Sequence, residues 1–130
     1  MATRPAQRQP EKLLPSLAQI VTGIDGEVLF QISLDSDRSV MDIECLASQV
    51  QPKNMLPLDL VLEHPLDLGA GSVLFVSNSS GSLAEPAESD LDFTRRLIEA
   101  GRISRMPVED HYIVKDGGYL SLRRSTDLWG

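Results

Sequence analysis

Residues 69–90 read Gly-Ala-Gly-Ser-Val-Leu-Phe-Val-Ser-Asn-Ser-Ser-Gly-Ser-Leu-Ala-Glu-Pro-Ala-Glu-Ser-Asp, and the first half of this stretch decides the fold. Val73-Leu74-Phe75-Val76 is an unbroken apolar run bounded by glycines and serines. A strand of that kind has no polar face to give to water, so it belongs in the middle of a sheet. Ser77 to Glu88, rich in serine with Gly81 and Pro86, reads as a long loop after that strand, a common place for a functional site. Asp90 then precedes Leu91, Phe93, Leu97, Ile98 and Ala100, with Gly101 closing the pattern, which predicts a helix over about 90–101.

Working outward, Val28 to Leu34 and Ser39 to Leu46 are β-favouring runs joined by the polar turn Asp35-Ser36-Asp37-Arg38, a hairpin. Before it, Leu13, Leu14, Leu17, Ile20 and Val21 recur at helical spacing up to Gly23. Gln49 to Met55 reads as a loop, and Pro57 opens a helix through Leu58, Val61 and Leu62. Pro65 should break or kink that helix around His64, because it lacks an N–H and crowds the preceding turn. After the 90–101 helix, Met106 to Val114 and Tyr119 to Leu122 flank Lys115-Asp116-Gly117-Gly118, whose Asp-Gly supplies the positive φ of a tight hairpin. The order, roughly αββαβαββ, predicts an α/β layered sandwich: a mixed, mostly antiparallel sheet flanked by helices.

A chain of 130 residues and 14.3 kDa, with 42% hydrophobic and 24% charged residues, has room for one domain. Residues 1–12 read as a flexible N-terminal arm and 13–130 as that domain. No apolar run approaches the roughly 20 residues of a membrane-spanning helix, and the first twelve residues lack a secretory apolar core, so a cytoplasmic protein without membrane contact is expected. Cys45 is the only cysteine. It excludes an internal disulfide and any zinc site built on paired thiolates, and its place on an alternating strand predicts a buried, inert thiol.

Charge is unevenly distributed. Residues 13–92 carry thirteen acidic groups against Arg38 and Lys53, whereas both ends are slightly basic and the total is −7. The acidic middle repels phosphate and disfavours nucleic acid as a partner. A local basic patch around Arg95, Arg96, Arg102, Arg105, Arg123 and Arg124 reads as a solvated helix face.

From Val76-Ser77-Asn78-Ser79-Ser80-Gly81 through Asp90 and on to Thr94-Arg95-Arg96-Leu97-Ile98-Glu99-Ala100-Gly101-Arg102, the chain resembles the bacterial RadC family, whose domain has the JAB/MPN metalloprotease-like fold. Pro107 to Val114, with its Asp110-His111 pair, and Gly118 to Leu122 look like that family's closing strands, and the resemblance spans about 28–123. With only about 25 residues before the match, the family's amino-terminal helix-hairpin-helix region is expected to be absent. The resemblance implies a site made of a Glu, a His-x-His-Pro segment and a Ser-x-x-Asp segment. There the two imidazoles and the Asp hold zinc and the Glu handles the proton of a bound water.

Carried over without gaps, the Glu falls on Glu44 and the Asp on Asp90. The two histidine positions fall on Ser77 and Ser79, the proline on Ser80 and the motif serine on Ala87. A catalytic zinc takes three protein ligands and keeps one position open, and neutral hydroxyls are poor ligands for it. No metal or other cofactor is therefore expected: Glu44 and Ala87 are vestigial positions, and Ser77, Ser79 and Asp90 form a degenerate ligand set. Asp90 reads as a helix cap, and Glu44 as a solvent-facing or hydrogen-bonded strand residue. His64 and His111 lie at the wrong spacing and read as surface or hydrogen-bonded residues.

The expectation from the sequence is thus a catalytically inactive RadC-like protein, serving as a binding or scaffold module for a protein partner. Its first rival is a hydrolase of the JAB class with an atypical or rearranged site. The second is a nucleic-acid-binding protein associated with DNA repair.

Overall fold

The structure, a computed structural model, describes residues 9–47, 56–79 and 81–130. The apolar run falls in β3 (Ser72–Asn78), where Val73 to Val76 are at most 2% exposed. On one side β3 pairs antiparallel with β1 (Leu29–Leu34), and on the other it pairs parallel with β4 (Val108–Lys115). β2 (Val40–Ala47) and β5 (Gly118–Ser121) form the edges, each antiparallel to its neighbour, so the strand order is β2-β1-β3-β4-β5. The mixed, mostly antiparallel sheet and the central place of β3 are as the sequence predicts.

Two apolar clusters hold the layers together. On one face α1 (Pro10–Thr22) lays Leu14, Leu17, Ala18 and Val21 over Ile32, Leu34, Leu74, Val76 and Val114. On the other face α2 (Leu58–Val61) and α4 (Glu88–Ser104) cover Leu29, Val73, Phe75 and Val108, with Val61, Leu62, Phe93 and Leu97 as the contacting side chains, and α3 (Glu63–Leu68) follows α2 directly. A short α5 (Leu122–Ser125) follows β5, and Trp129 donates its indole N–H to the Val108 carbonyl at 2.8 Å as it packs against the second cluster.

Several boundaries differ from the sequence reading. α1 begins at Pro10, so 10–12 belong to the helix rather than to an arm; proline is suited to a first turn, whose N–H groups have no partner to lose. The loop expected over 49–55 lies outside the described residues. α4 runs past Gly101 to Ser104 and ends at Arg105, whose φ of 57° is left-handed. Gly101 is needed for another reason: a Cβ there would lie 2.5 Å from the Met106 carbonyl oxygen. The closing hairpin turns on Asp116 (φ 51°) and Gly117 (φ 79°), the two left-handed residues such a turn demands.

Pro65 does interrupt the helical segment, and the structure shows what replaces its missing bond. The break falls at Leu62, between α2 and α3, leaving Pro65 in the first turn of α3. The Val61 carbonyl, four residues earlier, instead accepts a hydrogen bond of 3.0 Å from the buried Gln31 Nε2. A side chain from the sheet thereby satisfies the carbonyl that proline orphans.

Cys45 is exposed, contrary to the expected burial. It does project opposite to Glu44, but α1 packs over the inner strands, and Met41 and Ile43 are left 41% and 40% exposed on that face as well. Among the described residues no helix is long and apolar enough to cross a membrane.

Candidate functional site

Ser77 ends the buried part of β3, and its fate decides what the cleft can do. Its Oγ lies 2.7 Å from His111 Nε2, delivered by the parallel neighbour β4, and the Nδ1 of the same ring lies 2.7 Å from Thr94 Oγ1 on α4. Thr94 has one hydroxyl proton and gives it to the Asp90 carbonyl at 2.7 Å. Its oxygen is then free only to accept, so His111 donates from Nδ1. A neutral ring in that tautomer would accept the Ser77 proton on Nε2. All three side chains are fully buried, and the imidazole meets Phe75 and Phe93 edge to face with centroids 6.5 and 6.3 Å away.

Ser79 spends its hydroxyl next door. Its Oγ donates to Asp90 Oδ2 at 3.1 Å and accepts the Gly81 N–H at 3.0 Å. Asp90 does not cap α4 as expected. The cap position belongs to Ala87, which has no side-chain oxygen to offer, while Asp90 sits in the first turn, 1% exposed, with its carboxylate turned to Ser79. Its negative charge still complements the helix N-terminus there. Nearby, Asn78 takes the Val28 N–H on Oδ1, and a hollow of about 180 Å³ at the strand mouth is lined by Thr22, Ile24, Asn78, Ser79 and Lys115 among others.

The zinc implied by the resemblance does not fit this donor set. Two of its ligand positions hold neutral hydroxyls already engaged with His111 and Asp90, which leaves one carboxylate of the three ligands a catalytic zinc takes. Ser79 bonds Asp90 directly, Ser77 reaches it through His111 and Thr94, and Ala87 stands at the cap of the same helix. Glu44 is elsewhere. It stands on edge strand β2, in register with Gln31 and through it with Phe75, two strands across from β3. Its neighbour is His64 of α3, whose Nε2 lies 3.7 Å from Glu44 Oε2 and 2.8 Å from Asp42 Oδ2.

Five of the six arginines named for one basic patch divide between two grooves. Arg95 and Arg96 border one with Leu58 and Ile103, whereas Arg102, Arg105 and Arg123 border a groove of about 480 Å³ floored by Ile98, Val108 and Trp129. Arg95 and Arg102 are each paired at 2.5 Å with a carboxylate one turn away, Asp92 and Glu99. Those pairings consume part of the charge a phosphate backbone would need.

Sequence reasoning missed Thr94, and it read His111 as a surface or hydrogen-bonded residue, of which the structure shows the second. Thr94 follows Asp90 by four positions, so their common helix face was readable. His111 carried no such signal, because only the parallel pairing of β4 with β3 sets it beside Ser77.

Residues 7–127 match the RadC-like JAB domain family. Among curated relatives, a UPF0758 protein of Symbiobacterium thermophilum is 28% identical over 121 residues, covering 93% of this chain and 52% of its own. One from Alcanivorax borkumensis is 30% identical over 87% of this chain and 50% of its own, and one from Acidithiobacillus ferrooxidans is 34% identical over 75% and 43%. The chain spans about half the length of these relatives.

Proposed function

Because the chain belongs to the RadC-like JAB domain family, we propose that it is a member which has given up zinc at the β3 mouth and works as a binding module for a protein partner rather than as a hydrolase. The observation that carries this reading is the hydrogen-bond chain that runs from Ser77 through His111 and Thr94 to Asp90 and Ser79. Along it the side chains at the family's ligand positions are already engaged with protein groups, and they offer one carboxylate and two hydroxyls where a catalytic zinc takes three ligands. An acidic middle segment favours a protein partner over nucleic acid on electrostatic grounds.

A second reading, a hydrolase with a rearranged site, draws on the 2.7 Å Ser77–His111 contact, which has the spacing of an activated nucleophile and its base. Burial argues against it, since both side chains are 0% exposed.

The test is elemental analysis of chelator-washed protein re-equilibrated with zinc, alongside hydrolysis of peptide and isopeptide substrates, for the wild-type chain and Asp90→Asn. The expected result is no hydrolysis and no zinc that depends on Asp90. Stoichiometric zinc released by Asp90→Asn, or hydrolysis abolished by it, overturns the proposal; hydrolysis abolished by Ser77→Ala alone moves the assignment to the second reading.

A further inference from the structure

We propose that Asp42, Glu44 and His64 form a site for a divalent transition metal of the zinc class, on different elements from the β3 mouth and independent of the reading given above. The two carboxylates come from β2, where residues two apart project to one face. Their rungs are fixed by pairing with β1, Asp42 opposite Ser33 and Glu44 opposite Gln31. The imidazole comes from α3, and the Gln31–Val61 hydrogen bond anchors the α2–α3 junction to the same rung that carries Glu44.

The three ligand atoms lie within 4.8 Å of one another. Their hydrogen bonding is incomplete in a way that a cation would complete. His64 Nε2 can offer one N–H, and at 2.8 Å it goes to Asp42. Glu44 Oε2, 3.7 Å from that nitrogen, is shut off from solvent and has no protein donor. Gln31 Oε1, on the paired residue of the same rung and face, is likewise buried without a donor, although its amide nitrogen is fixed on Val61. Two enclosed acceptor oxygens on adjacent side chains, beside an imidazole nitrogen, are an electron-rich corner, and buried acceptors of this kind ordinarily find a partner.

A divalent ion would take the place of the proton now shared by His64 and Asp42, with Nε2, one Asp42 oxygen and Glu44 Oε2 as ligands. Tetrahedral zinc holds N and O ligands at about 2.0–2.2 Å, which puts ligand atoms roughly 3.3–3.6 Å from each other. The observed separations of 2.8 and 3.7 Å bracket that range. Only small side-chain rotations are required, and all three side chains are about two-fifths exposed and free to make them. One imidazole with two carboxylates selects zinc, cobalt or manganese over calcium and magnesium, which prefer oxygen alone. Exposure leaves a position open to water, and Asp67 adds negative charge close to His64.

The experiment uses the intact chain, freed of metal by a chelator. Zinc is titrated while the imidazole protons are followed by NMR, an easy assignment because His64 and His111 are the only histidines. Cobalt(II) absorption reports affinity and coordination number. The expected result is one equivalent bound, with the His64 signals moving and the His111 signals unchanged. Affinity should fall roughly tenfold or more in Glu44→Gln and in His64→Ala, and stay unchanged in Asp90→Asn. Absence of zinc binding at millimolar concentrations, unmoved His64 signals, or binding that survives His64→Ala overturns the proposal. Binding lost in Asp90→Asn but kept in His64→Ala places the metal at the β3 mouth and overturns this inference together with the zinc-free reading. The wild-type NMR titration decides the matter even if a variant fails to fold.

Discussion

Replacing Ser77 with alanine removes one oxygen atom and almost no volume, so it isolates the hydroxyl's part in the buried hydrogen-bond chain. In the wild-type chain that hydroxyl is the partner of His111 Nε2 at 2.7 Å, and neither side chain is exposed at all. The variant leaves a buried ring nitrogen without that partner, which costs about 1–3 kcal/mol. Unfolding entropy of about 2.1 cal/mol/K per residue gives roughly 0.27 kcal/mol/K for a domain of this size, so Tm should fall by roughly 4–11 °C. Urea unfolding followed by the fluorescence of Trp129, the only tryptophan, supplies the free energy directly. Thr94→Val should be coupled to Ser77→Ala by about 0.5 kcal/mol or more, because both act through the same imidazole. A Ser77→Ala loss within about 0.5 kcal/mol, the ordinary range for a solvated position, would refute the claim that the pair is sealed from water. The argument that Ser77 has no freedom to serve a metal or a substrate would then go with it.

Further outcomes follow from the same geometry. Gly101→Ala, which in an open helix would stabilise, should here destabilise by about 1–3 kcal/mol, because the new methyl meets the Met106 carbonyl and Val108; a stabilised variant in the same urea assay sinks this reading. His64 is held above its ordinary pKa of 6.5 by the hydrogen bond to Asp42, with the Glu44, Asp42 and Asp67 charges adding to it against slight desolvation. A raised folded value means that the contribution is fully present below 6.5 and is lost as pH rises through the raised value; stability measured across that window should decline in the wild-type chain and not in His64→Asn. The Tyr112 phenol is pushed up to about 12, first by burial and then by the negative charge of Asp110, so a spectrophotometric titration should show a late step that Tyr112→Phe removes. A step near 10 that vanishes in that variant contradicts it.

Local chemistry made much of the architecture readable. An apolar run with no polar alternation can only be satisfied between two strands and two covering layers, so residues 73–76 announced the central strand. The Asp116-Gly117 turn was legible because left-handed backbone is open to so few residues. Pro65 announced a break for the lack of one N–H. The nearness of Ser79 to Asp90 also carried over from sequence to space, since a strand, a loop and the helix after it keep short-range order.

What the chain could not show by itself depends on which distant segments become neighbours. Cys45 lies on an apolar face, yet it is exposed because α1 packs over the inner strands, a matter of how layers overlap. Gln31 looked like an ordinary strand residue until the Val61 carbonyl needed a donor. His111 meets Ser77 only because β4 runs parallel to β3, and His64 meets Asp42 and Glu44 only because α3 folds back over β2. Residue types and local periodicity fixed the elements, while long-range pairing and packing, which no short window of sequence encodes, decided which polar groups would meet and which acceptors would be left without a proton.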